Sequence, residues 1–336
     1  MIVQQEISQH SKMFHHELEN HFNIGKNINS DNLTIDYSTL FLGVLLSNTS
    51  YKLGVILVLG AGLCWSGMGT AIRFIDNATT WQILLYRSVG MIFVLFFYIY
   101  WQSKGHPLKA LTNIGLAGLT AAISLVLAFA GSIYAFQSTS IANAAFLFAC
   151  APFLTAILAW PLLKEPIQKA TWWALICSMI GILIMVSGGL SFSGIKGNLA
   201  ALTSALGFAG FTLSLRWGKL NNMSPAIVLG GVFSIIFAGV ILSFNESGFI
   251  ISASDTVKSI CMGVFLLGGG MILFSIGSKV LTATNLALLS MVEVILAPVW
   301  GWIILREQAE FSTLIGGAIL FFALILNALS GVHKNK

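Results

Sequence analysis

From Lys52 onward the chain is a succession of ten apolar runs, each close to the roughly 20 residues that an α-helix needs to cross a bilayer. They occupy 53–73, 81–101, 113–135, 140–163, 170–189, 196–217, 224–244, 258–278, 282–304 and 311–331. The runs lack the two-residue alternation and the turn signals every ten residues of a membrane β-barrel, so they are expected to be helices. Trp81, Trp101, Trp172, Trp173, Trp217 and Trp302 fall at or near run ends, where indole prefers the membrane interface. The expected fold is an all-α polytopic membrane protein of ten transmembrane helices.

Composition agrees. Of the 336 residues 57% are hydrophobic and 9% charged, against about 25% charged in a soluble domain. A water-soluble enzyme and a disordered chain are both excluded. Cys64, Cys150, Cys177 and Cys261 lie in apolar runs without metal-ligand spacing, so all four are expected to be small buried hydrophobes. No HExxH, nucleophile elbow, phosphate loop or nucleotide-binding domain is present, so neither an enzyme nor an ATP-driven pump is expected. No cofactor and no nucleic-acid partner are implied, and no repeated polar ring suggests a channel.

Residues 1–51 form a polar extension with His10, His15, His16 and His21 and no signal-peptide pattern. It is expected to be disordered and cytoplasmic, with no metal role. With the N-terminus inside, Lys12, Lys26, Lys52, Lys104, Lys109, Lys164, Lys169, Arg216, Lys219, Lys279, Lys334 and Lys336 share the inner side. Arg73, Lys196, Lys258 and Arg306 share the outer one. The excess of cations inside places both termini in the cytoplasm, in a cell inner membrane.

An internal repeat is visible. Ala142–Leu147 aligns with Thr284–Leu289, and Leu163-Lys164-Glu165 aligns with Leu305-Arg306-Glu307. Near the same offset Trp65 falls on Phe208 and Arg73 on Arg216. Each half, 52–190 and 195–331, therefore holds five helices. An odd number of spans makes the second copy enter the membrane from the opposite side, which is an inverted repeat.

At these positions the sequence resembles the EamA family of the drug/metabolite transporter superfamily. Asn143 through Pro152, running on to Trp160-Pro-Leu-Leu-Lys-Glu165, carries the resemblance in helix 4. Asn285 through Glu293, running on to Trp302-Ile-Ile-Leu-Arg-Glu307, carries it in helix 9, and Arg87 matches an arginine common in helix 2 of the family. The family pattern has Glu-Pro in both helices, whereas here helix 4 has Ala151-Pro152 and helix 9 has Glu293-Val294. The resemblance implies a carrier of small organic metabolites, with the substrate left open.

Candidate contacts for substrate or coupling follow from depth in the membrane. Glu293 lies eleven residues into helix 9, near the midplane at about 1.5 Å per residue. It is the only acid deep in a span, placed to meet a substrate amine or to carry a proton, or else simply to tie helices together. Arg87 is the only base deep in a span, and its planar fork suits a carboxylate. It would hold a substrate, pair with Glu293 as an occluded gate, or bond helix-end carbonyls. Trp65, Tyr86, Tyr134, Phe208 and Trp300 lie within spans and offer stacking or cation–π contact of about 1–2 kcal/mol when desolvated. Asn143 and Asn285 occupy equivalent repeat positions, as caps or packing groups first and ligand contacts second. Pro152 is expected to kink helix 4. Glu165 and Glu307 are expected to pair with the adjacent Lys164 and Arg306.

The expected function is a secondary transporter, an exporter of small metabolites such as amino acids, acting as a monomer or homodimer and coupled to protons. The alternatives are a drug or nucleotide-sugar carrier of the same superfamily, or a non-transporting membrane sensor or assembly protein.

Overall fold

A computed structural model describes residues 51–164, 169–188, 192–220, 222–281 and 283–332. The His-containing extension lies outside them. The described chain is helical and contains no strand. Its long elements are α1 (Tyr51–Ser66, resuming after a turn as Met68–Arg73), α2 (Thr80–Gln102), α3 (Gly115–Ser138) and α4 (Ile141–Phe148 and Ala151–Leu163). Then come α5 (Lys169–Gly188), α6 (Phe192–Trp217) and α7 (Ser224–Phe244). The last three are α8 (Ala253–Cys261, a π-helical Met262–Gly269, then Gly270–Gly277), α9 (Ala283–Leu305) and α10 (Phe311–Val332). Among the described residues seven helices of 21 to 28 residues are long and apolar enough to cross a membrane, and α5, α9 and α10 contain shorter apolar helical stretches. Helix is the form these runs must take, because it alone satisfies each backbone group within its own segment in lipid.

Local signals set the ends. Thr79 and Gln82 form a capping box at the start of α2, and the Ser140 hydroxyl accepts from the Asn143 amide at the start of α4. Such caps satisfy donors that the first turn leaves free. α4 breaks at Ala149-Cys150, which places Pro152 in the first turn of the second segment, where its missing N–H is not needed. The helices α4 and α9 both end on a residue in the left-handed conformation, Lys164 and Arg306, at equivalent repeat positions.

Packing follows the repeat. α1 lies against α8 and α9, and α6, its repeat mate, lies against α3 and α4. α2 meets α8 as α7 meets α3, while the pairs α2–α7, α4–α9 and α5–α10 map onto themselves. Each of these contacts between halves thus recurs under a two-fold exchange, as inverted five-helix repeats require. The helix faces turned outward are apolar, with Ile56, Phe93, Ile123, Leu183 and Phe237 exposed in quantity, because lipid covers them. One expectation fails for the same reason. Cys150 is buried and Cys64 partly so, but Cys177 and Cys261 lie on exposed faces, since a small apolar side chain suits lipid as well as a core.

Candidate functional site

Which side of each helix meets lipid decides which candidates can line a shared space. On α9, Ile295 and Trp302 mark the exposed face. Glu293 and Trp300, two turns apart, share the opposite one at 3.6 residues per turn. That face looks onto α1. A methyl at Gly62 would touch the Glu293 amide at 3.6 Å, and the Trp300 indole Nε1 donates to the Ser66 hydroxyl at 2.9 Å. Ser66 itself donates to the Leu63 carbonyl at 2.7 Å. Trp65 points away from the exposed Ile56 and Leu63 of α1 and packs on Phe274 of α8, ring centroids 5.4 Å apart and planes tilted by 41°. Its indole N–H is buried without a partner. Glu293 is half-buried and makes no hydrogen bond or ion pair with a described residue.

Arg87 is the decisive side chain. It is 1% exposed. Its guanidinium carbon lies 5.0 Å above the Phe129 ring of α3, while Nε and Nη2 have no hydrogen-bond partner. Among the described residues no carboxylate lies within ion-pair distance, so Arg87 and Glu293 do not pair in this structure. The π-helical turn of α8 packs against both Arg87 and Trp65. Its Gly263 abuts the Arg87 backbone, and Gly270, just beyond it, abuts the Trp65 ring. A π turn widens the helix and is frequent at functional sites. A buried cation left with one aromatic face is costly unless a ligand or water completes it.

Phe208, the repeat mate of Trp65, is 41% exposed. It nonetheless lies on the far side of α6 from the outward stripe Leu199, Thr203 and Leu206, flanked by buried Ser204, Ala205 and Phe211. Its exposure therefore lies on the inward side of α6, turned away from lipid. Tyr86 and Tyr134 are different. Tyr134, 39% exposed, continues the outward stripe Leu116, Ile123 and Leu127 of α3. Tyr86 shares the outward face of Val89, Phe93 and Phe97, and its hydroxyl donates to the Phe249 carbonyl at 3.0 Å. Neither reaches the shared space: depth in a span is readable from sequence, but the side of the helix is not. Asn143 is buried at one end of the bundle, accepting from the Thr313 hydroxyl at 2.7 Å. The Asn285 side chain lies outside the described residues. Ser66, Phe129 and the Gly263 contact were missed from sequence, since small or apolar residues inside apolar runs carry no signal.

A model of the EamA-like transporter family matches residues 52–187 and again 195–329. The chain belongs to the EamA-like transporter family. The two matched segments coincide with the five-helix halves, so this is an integral, multi-pass membrane transporter built from a repeat. Among its relatives is the pseudopaline exporter CntI of Pseudomonas aeruginosa, 25% identical over 288 residues covering 84% of this chain and 98% of the exporter. Solute carrier family 35 member G1 of Homo sapiens is 26% identical, covering 81% of this chain and 77% of that one. A solved crystal structure superposes with a TM-score of 0.59 at 14% identity, spanning 82% of this chain and 98% of that one, which shows the shared fold.

Ser66 offers a direct check on the α1–α9 wall. Ser66→Ala leaves the Trp300 indole without its acceptor, and thermal unfolding in detergent should show a loss of about 1–2 kcal/mol. Gly62→Ala should cost less, because the added methyl meets only ordinary contacts at 3.6 Å and beyond.

Proposed function

We propose that the protein is a secondary transporter that exports small organic solutes bearing a carboxylate, amino acids being the favoured class. The observation that carries this reading is Arg87, buried between α3 and α8 with Nε and Nη2 left without a hydrogen-bond partner. Its planar guanidinium recognises a carboxylate in two-point fashion, and the energy of burying it is recovered when that partner arrives. On the inward faces of α1, α6 and α9, Trp65, Phe208, Trp300 and Glu293 offer aromatic faces and an acid for the rest of an amphipathic solute. Export as the direction is supported by the relative from Pseudomonas aeruginosa, which is an exporter.

The halves would alternate access to this space by rocking about it, as inverted repeats do. In this reading both termini are cytoplasmic, the Arg73 end of the bundle faces outward, and Glu293 carries the proton that drives the cycle. An acid facing a crevice without a partner can exchange a proton between the two openings. A nucleotide-sugar carrier is less well supported, because phosphates call for several cations and Arg87 is the only one deep in a span. A purely structural protein would leave no half-exposed Phe208 and Glu293 on inward faces.

The test is uptake of pooled labelled amino acids and other metabolites into proteoliposomes, with and without an imposed pH gradient. Gradient-driven accumulation of a carboxylate-bearing solute is expected. Glu293→Gln should abolish the dependence on the gradient while leaving exchange of solute for solute. Accumulation by Glu293→Gln with the parental gradient dependence would remove the acid from coupling, and accumulation only of solutes without a carboxylate would overturn the substrate class.

A further inference from the structure

The end of the bundle that carries Arg73 is closed by one polar cluster, to which five helices from both halves contribute. Arg73, in the last turn of α1, donates through Nη2 to the Thr139 carbonyl at 2.7 Å. The same nitrogen lies 3.7 Å from Glu307 Oε2, just beyond α9. Oε1 of Glu307 accepts from the Ile141 amide at 2.7 Å, one of the free donors at the start of α4. The Thr139 hydroxyl donates to Asn198 Oδ1 of α6 at 2.9 Å, and the Thr313 hydroxyl of α10 donates to Asn143 Oδ1 at 2.7 Å. Thr139, Asn143, Asn198 and Thr313 are all buried. The sequence alone had Glu307 pairing with its neighbour Arg306. Its actual partners come from the opposite half.

Several features distinguish this cluster from a permanent staple. The ion pair is long, and its side chains keep 32% and 24% of their exposure, so water can replace each partner. The set is incompletely satisfied, with Arg73 Nε and Asn198 Nδ2 lacking partners. A cavity of about 430 Å³, lined by Ile141, Pro298, Gly301, Glu307 and Leu314 among others, lies directly beside Glu307 and leaves room for these ends to shift.

We infer that this cluster is the gate of the Arg73 end, held closed in this structure, and that passage of solute requires Glu307 to release both Arg73 and the start of α4. The inference rests on the alternating-access reading, since only halves that rock would need to break it. Glu307 is the pivot, because one carboxylate holds the last turn of α1 and the first turn of α4 to the end of α9.

The test is a distance measurement on the full chain in nanodiscs, with spin labels at the exposed positions 74 and 308, paired with uptake in proteoliposomes. The parent should give one short distance. Glu307→Gln should add a second, longer population and change the uptake rate several-fold. Thr313→Val, which keeps the volume and loses the bond to Asn143, should do the same more weakly, and it serves if Glu307→Gln fails to fold. Ser312→Ala, which removes only a hydrogen bond to Glu310 outside the cluster, should leave both readouts at the parental value. An unchanged distance distribution in both Glu307→Gln and Thr313→Val, with lower thermal stability alone, would overturn the gate and reduce the cluster to a structural tie. Distances that shift as expected in a chain that moves no solute would keep the gate and sink the substrate reading instead.

Discussion

Replacing Arg87 with Met should make the protein more stable and nearly inactive. An unpaired buried guanidinium carries a desolvation cost of several kcal/mol that a cation–π contact with Phe129 recovers only in part. A flexible apolar side chain of similar length removes that cost, so a gain of about 1–4 kcal/mol is expected on unfolding. Transport of a carboxylate-bearing solute should fall about 100-fold or more, since a charge-assisted, two-point contact is worth about 3 kcal/mol. Arg87→Lys should recover little, because an ammonium on a thin stem lacks the planar fork. Thermal unfolding of purified protein, set beside uptake by the same preparation, gives both numbers. A variant that lost stability and activity together would make Arg87 a structural residue, paired in some way the present packing does not show.

The second large effect concerns two glycines of the same π turn, which should respond to alanine with opposite signs. A methyl on Gly263 would collide with the Arg87 carbonyl oxygen and also meet the Arg87 carbonyl carbon at 2.9 Å and the Met91 amide at 3.0 Å. All three are backbone atoms of α2, so no side chain can turn away. Gly90 makes the reciprocal approach against the Ile260 carbonyl, and the two glycines together set how closely α8 crosses α2. Gly263→Ala should therefore destabilise by about 3 kcal/mol, the upper end of the usual overpacking range, and displace the backbone that carries Arg87. Gly269→Ala meets one backbone atom at 3.5 Å, an ordinary contact. There the gain in helix propensity, about 0.5–1 kcal/mol, should prevail. Equal effects of the two substitutions on melting temperature would contradict the close crossing.

How far the sequence reached is clearest at single residues. Glu293 and Arg87 were singled out because a charge inside an apolar run is visible without any structure, and both turn out to lie on inward faces. Tyr86 and Tyr134 were singled out by the same argument from depth and lie on outward ones. The difference is rotational. These spans are apolar all round, so no polar stripe tells which side meets lipid and which meets a neighbour. Glu307 failed for another reason: its adjacent cation, Arg306, was a plausible partner, and nothing local points to Arg73 on another helix.

The sequence by itself determined the number, length and order of the helices and the repeat that relates them. These follow from bilayer thickness and from the requirement that backbone groups be satisfied within each segment. Only the tertiary structure decided which side chains meet across the halves. It left Arg87 without a partner, joined Trp300 to Ser66, and closed one end through Glu307. Those contacts depend on how each helix is rotated and on how closely glycines let backbones approach, and both are settled only when all the helices pack together.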